Sequence, residues 1–341
     1  MTGSAAADVD VVCLGESMLT FLPSHPGRLA DVPSFARTIG GAESNVACAL
    51  AAAGHRAKWV SRVGADGFGD HLIRAISAYG VDTSAVGRDP HRPTGIYFRT
   101  ANDRSHDAHE VLYYRAGSAA SAMSPLTVAY DDIAGARILH VSGITAALSG
   151  DCLELLRELT APRAGRPLVS FDVNHRPGLW RDAPGTQVLL GLARGADLVF
   201  VGEDEAEGAW GLRGGDAIRD ALPEPDVVVV KHGGRGATAY ERAGAEVFVP
   251  APEVDVVAHV GAGDAFAAGF LSGTLRGLPV RDRLRHGHLM AAAALTVPGD
   301  LGTPPATAHA DRLAGLDDAA WGRLRLAPGW TSAVDEEVRT S

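Results

Sequence analysis

The stretch of the 341-residue chain richest in chemistry is VVAHVGAGDAFAAGF, residues 256 to 270, where Gly261, Ala262 and Gly263 stand directly before Asp264. Small residues let a backbone turn tightly and let a ligand reach its N–H groups. The run after Asp264, with Phe266 and Phe270 four residues apart, predicts a helix. GAGD therefore reads as a helix N-terminus, where unpaired N–H groups and the helix dipole bind anions. A carboxylate on that turn is either a simple helix cap or a base held beside the anion. Alone, the tetrapeptide more often caps a helix, so its meaning depends on the rest of the chain.

Four further clusters bear on the choice. In GGAESNVACALAAAG (40–54) a glycine pair precedes a helix with Glu43 and Asn45 in its first turn. That is either an ordinary capped helix or a loop a polyol can approach, with Asn45 offering a donor and acceptors to hydroxyls. VSFDVNHRPGLW (169–180) reads as a strand running into a turn, which puts Asp172, Asn174 and Arg176 where open parallel sheets bind ligands. A purely structural turn is the competing reading. In VFVGEDEAEGAWG (199–211) Glu203, Asp204, Glu205 and Glu207 follow another strand end. A helix start favours such acids, and one of them could hold water-coordinated Mg²⁺ beside phosphates. In VVVVKHGGRGATAY (227–240) Gly234, Gly236 and Ala239 match a dinucleotide fingerprint. The β-rich TAYERAGAEVFVP that follows opens no helix, which disfavours a Rossmann dehydrogenase. Gly233, Gly234 and Gly236 read better as a glycine turn beside a nucleotide, with Lys231 at its edge.

The elements that must position these residues alternate. Apolar β-rich runs at 9–15, 57–64, 136–143, 167–174, 196–202 and 226–234 are separated by helical patterns such as 43–54 and 150–161. Near-continuous apolar strands between helices predict a mostly parallel sheet covered on both faces, an α/β fold. The segments TGIYFRTAND (94–103) and HEVLYYRAGS (109–118) instead alternate polar and apolar residues around the polar turn ANDRSHDAH. They predict an antiparallel hairpin projecting as a flap or lid, whose exposed apolar face is expected to be covered by a second subunit in a homo-oligomer. The pattern weakens after about residue 305, and the segment AWGRLRLAPGWTSAVDEEVRTS reads as an irregular, partly mobile tail.

Composition excludes several classes. A formal net charge of −10 argues against a general grip on nucleic acid or an anionic membrane. No apolar run reaches the ~18 residues needed to span a bilayer. The start has no basic segment before its apolar run, so the cytoplasm is the expected compartment. Cys13, Cys48 and Cys152 are far apart and odd in number, and read as buried reduced thiols.

Taken in this order, the pieces resemble the PfkB, or ribokinase-like, carbohydrate kinases from about residue 9 to 305. The glycine pair with Asn45 looks like that family's amino-terminal signature and GAGDAFAAGF like its carboxy-terminal one. Within the family the likeness is greatest to the kinases of 2-keto-3-deoxygluconate, through GESMLTFLP, GGAESNVA, YYRAGSAASAMSP, DVNHRPGLW and the late PGD at 298–300. The resemblance implies a three-layer sandwich with a small antiparallel β lid. It implies one kinase domain over 8–305, with lid segments at about 17–39 and 92–118, then a C-terminal helix and tail over 306–341. It also implies ATP carried with Mg²⁺, Asp264 as catalytic base, and Gly261, Ala262 and Gly263 as an anion hole. Gly41, Tyr97, Tyr113, Arg115, Arg176 and Asp300 become sugar-acid contacts, the two arginines because such an acid carries a carboxylate that guanidinium groups clamp.

Two departures stand out. Ala258-His259 replaces the family's usual Asp-Thr or Asp-Pro, whose aspartate often helps hold a monovalent cation, so activation by such a cation is not expected. Gly202-Glu203-Asp204-Glu205 replaces Asn-x-x-Glu, which keeps Glu205 for Mg²⁺ but loses the Asn. The rival readings are a kinase of a neutral sugar or nucleoside, and a sugar-binding regulator that kept the fold without catalysis.

Overall fold

The computed structural model describes residues 9–25, 27–100, 110–180 and 183–332; the expected flap turn at 101–109 and the chain end from 333 lie outside the described residues. In chain order the strands are β1 (Val9–Leu14), β2 (Met18–Pro23), β3 (Phe35–Gly40), β4 (Ala57–Gly64), β5 (Val86–Asp89), β6 (Ile96–Arg99), β7 (Val111–Tyr114), β8 (Ala136–Ser142), β9 (Leu168–Asp172), β10 (Leu198–Gly202), β11 (Val227–Lys231), β12 (Gly236–Glu241), β13 (Glu246–Pro250), β14 (Glu253–Val254) and β15 (Arg325–Leu326). The main sheet runs β13-β12-β11-β10-β9-β8-β1-β4-β5. It is parallel from β11 to β5, and β12 and β13 add an antiparallel edge.

Helices cover both faces, which explains the near-continuous apolar strands. Val11 and Cys13 of β1 join one core with Val46, Leu50, Phe266, Phe270 and Leu289. Val12 and Leu14 of the same strand join the other with Leu139, Phe171, Leu155 and Leu189. Successive strand side chains point to opposite faces, so a strand buried on both sides is apolar nearly throughout, and buried polar exceptions such as His140 of β8 and Ser170 of β9 bond each other at 3.0 Å.

The lid is a four-stranded sheet in the order β3-β2-β6-β7. Its β2–β3 and β6–β7 pairs are antiparallel as expected, but β2 pairs with β6 in parallel, so the lid is mixed at its centre. On edge strand β7, Leu112, Tyr113 and Tyr114 are exposed.

The expectation of an irregular tail, made for the segment from 320, is corrected up to residue 332. A helix at Thr307–Ala314 and a short one at Asp318–Trp321 lead into β15, which pairs with β14. Trp321, Leu324, Leu326 and Trp330 are buried in the first core, and Trp321 Nε1 donates to the Pro250 carbonyl at 2.8 Å. Isolated apolar residues between arginines carry no periodicity, so this packing had no sequence signature.

Strand order reverses between β8 and β1, since β1, β4 and β5 run outward one way and β8 to β11 the other. Ligands of open parallel sheets bind beyond the strand C-termini at such a crevice.

Candidate active site

GAGD lies where the spacing put it. The helix Ala262–Leu275 begins after Gly261, whose φ of +76° lies in the left-handed region that favours glycine. A Cβ there would also collide with the Asp300 carbonyl, so a loop near the chain end buttresses the turn. Gly263 is exposed to the cleft, and the first N–H groups of a helix have no partner within it. Asp264 sits one residue further on. Its carboxylate Oδ2 accepts from Asn45 Nδ2 at 2.9 Å. Burial pushes the Asp264 carboxyl up to about 7; the Asn45 bond opposes the shift, Asp172 adds to it, and Arg176 and Lys231 pull back.

The strand ends supply the neighbouring charges. Lys231, the last residue of β11, donates from Nζ to both Asp172 oxygens, at 3.2 and 3.1 Å. Burial alone would lower the Lys231 pKa, but the Asp172 and Glu205 carboxylates outweigh it and raise it, so the ammonium stays charged. Its Nζ would lie 3.7 Å from a Cβ built on Gly263, so it faces the anion turn. Asn174 holds a φ of +40°, its N–H donates to Asp172 Oδ1 at 3.2 Å, and its buried side-chain oxygen finds no hydrogen-bond partner among the described residues. Arg176 follows with a side chain 53% exposed, 3.8 Å from Glu205 Oε1. Glu205 Oε2 accepts from the Gly202 N–H at 2.8 Å. One hard oxygen at the strand ends suits Mg²⁺, which keeps most of its waters and takes one or two carboxylates. Gly233–Arg235 form a tight 3₁₀ turn, and β12 follows instead of a helix, in line with the rejection of a dinucleotide site.

The lid brings a second set. Tyr97 and Tyr113 stand opposite each other on β6 and β7, ring centroids 5.4 Å apart. The Tyr97 hydroxyl donates to Asp300 Oδ2 at 3.3 Å, and Arg99 Nη2 donates to Asp300 Oδ1 at 2.9 Å. Burial raises the Asp300 carboxyl and Arg99 opposes this. Arg115 pairs with Glu16, which also accepts from Ser118 Oγ at 2.5 Å, and its guanidinium lies 5.8 Å from the Tyr113 ring centre. Gly40 leaves room for the Tyr97 hydroxyl and Asp300, whereas the space beside Gly41 is filled by the Glu16–Ser17 backbone. The missing side chain of Gly41 thus serves chain packing as well as any approach of a ligand.

Sequence reasoning gives no role to three charged residues that hold these groups. Arg99 shares a strand face with Tyr97, two residues away, and a basic residue on that face was the available signal. Glu16 follows the first strand, at the sheet edge where ligands bind. Glu43 is fully buried at the crevice between β1 and β8. Its Oε1 accepts from the Ser142 N–H and Oγ and from Thr145 Oγ1 at 2.7–3.1 Å, and a Cβ on Gly15 would collide with it. It ties the helix that carries Asn45 to the end of β8.

Phosphoryl transfer to a small polar acceptor is what main-chain donors beside a near-neutral base are suited to, and the class is that of a small-molecule kinase. The model of the pfkB family carbohydrate kinases matches residues 8–306. The chain belongs to that family: it is a carbohydrate kinase with the ribokinase-like α/β fold. It is 37% identical over 300 residues to 2-dehydro-3-deoxygluconokinase of Bacillus subtilis (strain 168), covering 86% of this chain and 91% of the relative. It is 32% identical over 313 residues to the 2-dehydro-3-deoxygluconokinase of Thermoproteus tenax, covering 91% and 95%. A sugar kinase from Pyrococcus horikoshii, solved in complex with ATP, superposes with a TM-score of 0.77 at 26% identity, over 92% of this chain and 99% of that one. Among the described residues no helix is long and apolar enough to cross a membrane.

Proposed function

We propose that the protein transfers the γ-phosphoryl group of ATP to the 6-hydroxyl of 2-keto-3-deoxygluconate. The observation that carries the chemistry is the Asp264 carboxylate, held by Asn45 at 2.9 Å on the same turn as the exposed Gly263 main chain, with burial pushing its pKa up to about 7. Asp264 takes the proton from the acceptor hydroxyl as its oxygen attacks phosphorus. The bond from phosphorus to the bridging oxygen breaks, and ADP leaves with the electron pair. N–H groups of Gly261, Ala262 and Gly263, with the helix dipole, stabilise the transferring oxygens. Lys231 neutralises phosphate charge from the strand edge, and the turn at Gly233, Gly234 and Gly236 accommodates the nucleotide. Mg²⁺ carried with ATP shields the phosphates when bound, and Glu205 would hold it through water.

The substrate assignment rests on the names of the two relatives and on the arginines and tyrosines at the cleft. Tyr97, Tyr113, Asn174 and Asp300 present hydroxyl, amide and carboxyl groups to a polyhydroxy chain, and Arg115 and Arg176 meet the acid. One observation favours a neutral sugar instead: Arg99 and Arg115 each already carry a buried carboxylate partner. Coupled measurement of ADP release over 2-keto-3-deoxygluconate, its galactonate epimer, fructose and ribose decides. We expect a kcat/KM for a keto-deoxy acid at least tenfold above any neutral sugar; the reverse order overturns the sugar-acid reading, and no release with any sugar overturns the kinase reading for this cleft.

Exchanging Na⁺ for K⁺ should change the rate by less than about twofold, because Ala258 is buried and offers no side-chain oxygen to a cation. A strong, saturable K⁺ requirement in the same assay would show that other ligands replace the missing acid.

A further inference from the structure

The geometry points to Asn45 as the positioning residue of the base: its amide NH₂ holds Asp264 Oδ2, which leaves Oδ1 as the oxygen that accepts the proton. This rests on the kinase reading above and reassigns Asn45 from the acceptor to the base. The contact is 2.9 Å long and joins residues 219 apart in sequence, from the first turns of two helices. Asn45 is 4% exposed. Its orientation follows from electrostatics, since the flipped amide would set oxygen against carboxylate.

The holder is itself held. The Asn45 N–H closes the first turn of its helix on the Gly41 carbonyl at 2.8 Å. Glu43, two residues earlier, is fixed to Ser142 and Thr145 by three hydrogen bonds. A carboxylate gripped at one oxygen cannot rotate both oxygens toward a substrate, so the grip selects the reacting atom. A bond to the charged form also favours ionisation against the burial of Asp264. The other charges acting on Asp264 are Asp172 from the end of β9, Arg176 from the loop after it, and Lys231 from the end of β11. Asp300, which packs on the same turn, directs its carboxylate to Arg99 and Tyr97. Among the groups that favour its ionised form, Asn45 is the neutral one, so it can be removed without changing the charge of the site.

The test is the pH profile of kcat/KM for wild type, Asn45→Ala and the near-isosteric Asn45→Asp, with whichever sugar the wild type turns over. In the wild type the rate should rise about tenfold per pH unit on the acid side and level off near pH 7. Asn45→Ala should move that midpoint up by about one unit, so its deficit is about tenfold larger at pH 6 than at pH 9. Asn45→Asp, which sets a like charge against the base, should move it further. The Asp264 carboxyl resonance, assigned by its loss in Asp264→Asn, should titrate with the same displacement in the variants without any turnover. Midpoints unchanged in both variants, with only the sugar KM raised, would make Asn45 an acceptor contact and overturn the inference. A wild type inactive on every sugar sinks the proposed function instead, and the carboxyl titration still decides the role of Asn45.

Discussion

Asp264→Asn should fold and bind the sugar acid, and lose on the order of 10²–10⁴-fold in kcat, because an amide keeps the shape of the side chain and cannot accept a proton. A kcat within about threefold of wild type would leave Asp264 a helix cap and nothing more. The same substitution has a second readout with a defined sign. The carboxyl titrates near 7 in the folded chain, against about 4 in an unfolded one. Between those values the native state holds the proton that the unfolded chain has released. The contribution of Asp264 to wild-type stability is therefore fully present below about pH 4 and is lost as pH rises through about 7. The asparagine variant has no such loss. It should be more stable than wild type at pH 8 by on the order of 2–4 kcal/mol, or a few degrees in Tm, with the gap closing toward pH 4. A variant that melts below wild type at pH 8 would show that Asp264 is not strained by burial.

The second large effect concerns the arginines. A hydrogen bond to a charged group is worth about 1.5–3 kcal/mol, so Arg176→Ala and Arg115→Ala should each lower kcat/KM for a keto-deoxy acid by about ten- to a hundredfold. Activity on a neutral sugar should barely move, since that ligand has no carboxylate to meet. The structure separates the two variants. Arg176 is 53% exposed and its ion pair spans 3.8 Å, so its removal leaves the fold intact. Arg115 neutralises Glu16, whose side chain is 1% exposed. Removing it strands a buried charge, at about 3–5 kcal/mol of stability, so Arg115→Ala should also melt several degrees lower. The acid-to-neutral ratio is independent of the fraction folded and is the quantity to measure. An unchanged ratio in both variants would refute the sugar-acid assignment while leaving the kinase intact.

What the sequence carried and what it withheld divide along a physical line. The strands are readable because burial on both faces favours near-continuous apolar runs. The GAGD turn was readable because its glycines and the helix formers after it are local signals. Pairings set by tertiary contact were not readable. Asn45 meets Asp264 across 219 residues and Tyr97 meets Asp300 across 203, and no local pattern records either. Nor does the sequence show which charged residues serve each other besides any ligand: Arg115 pairs with Glu16, and Asp300 with Arg99. The packed segment from 320 to 332 was missed for the same reason, since its tryptophans are buried by partners far away in sequence.

The contact between Gly261 and the Asp300 carbonyl bears on how such an enzyme can change over generations. On the proposed reading, the transferring group is stabilised by main-chain N–H groups, which side-chain exchanges elsewhere leave in place, on a turn where a Cβ at residue 261 would have no room. The acceptor is read by side chains on β6, β7 and the strand ends, where point mutations act freely. The reaction is therefore inherited as a constant and the substrate as a variable, and a lineage can exchange one sugar for another without relearning the chemistry. Asp300 is where the two meet, its carbonyl buttressing the turn and its carboxylate holding Arg99 of the lid. Substitution at this residue releases Arg99 and Tyr97 while the main-chain carbonyl stays, so a change there falls on the acceptor side and leaves the buttress of the turn in place.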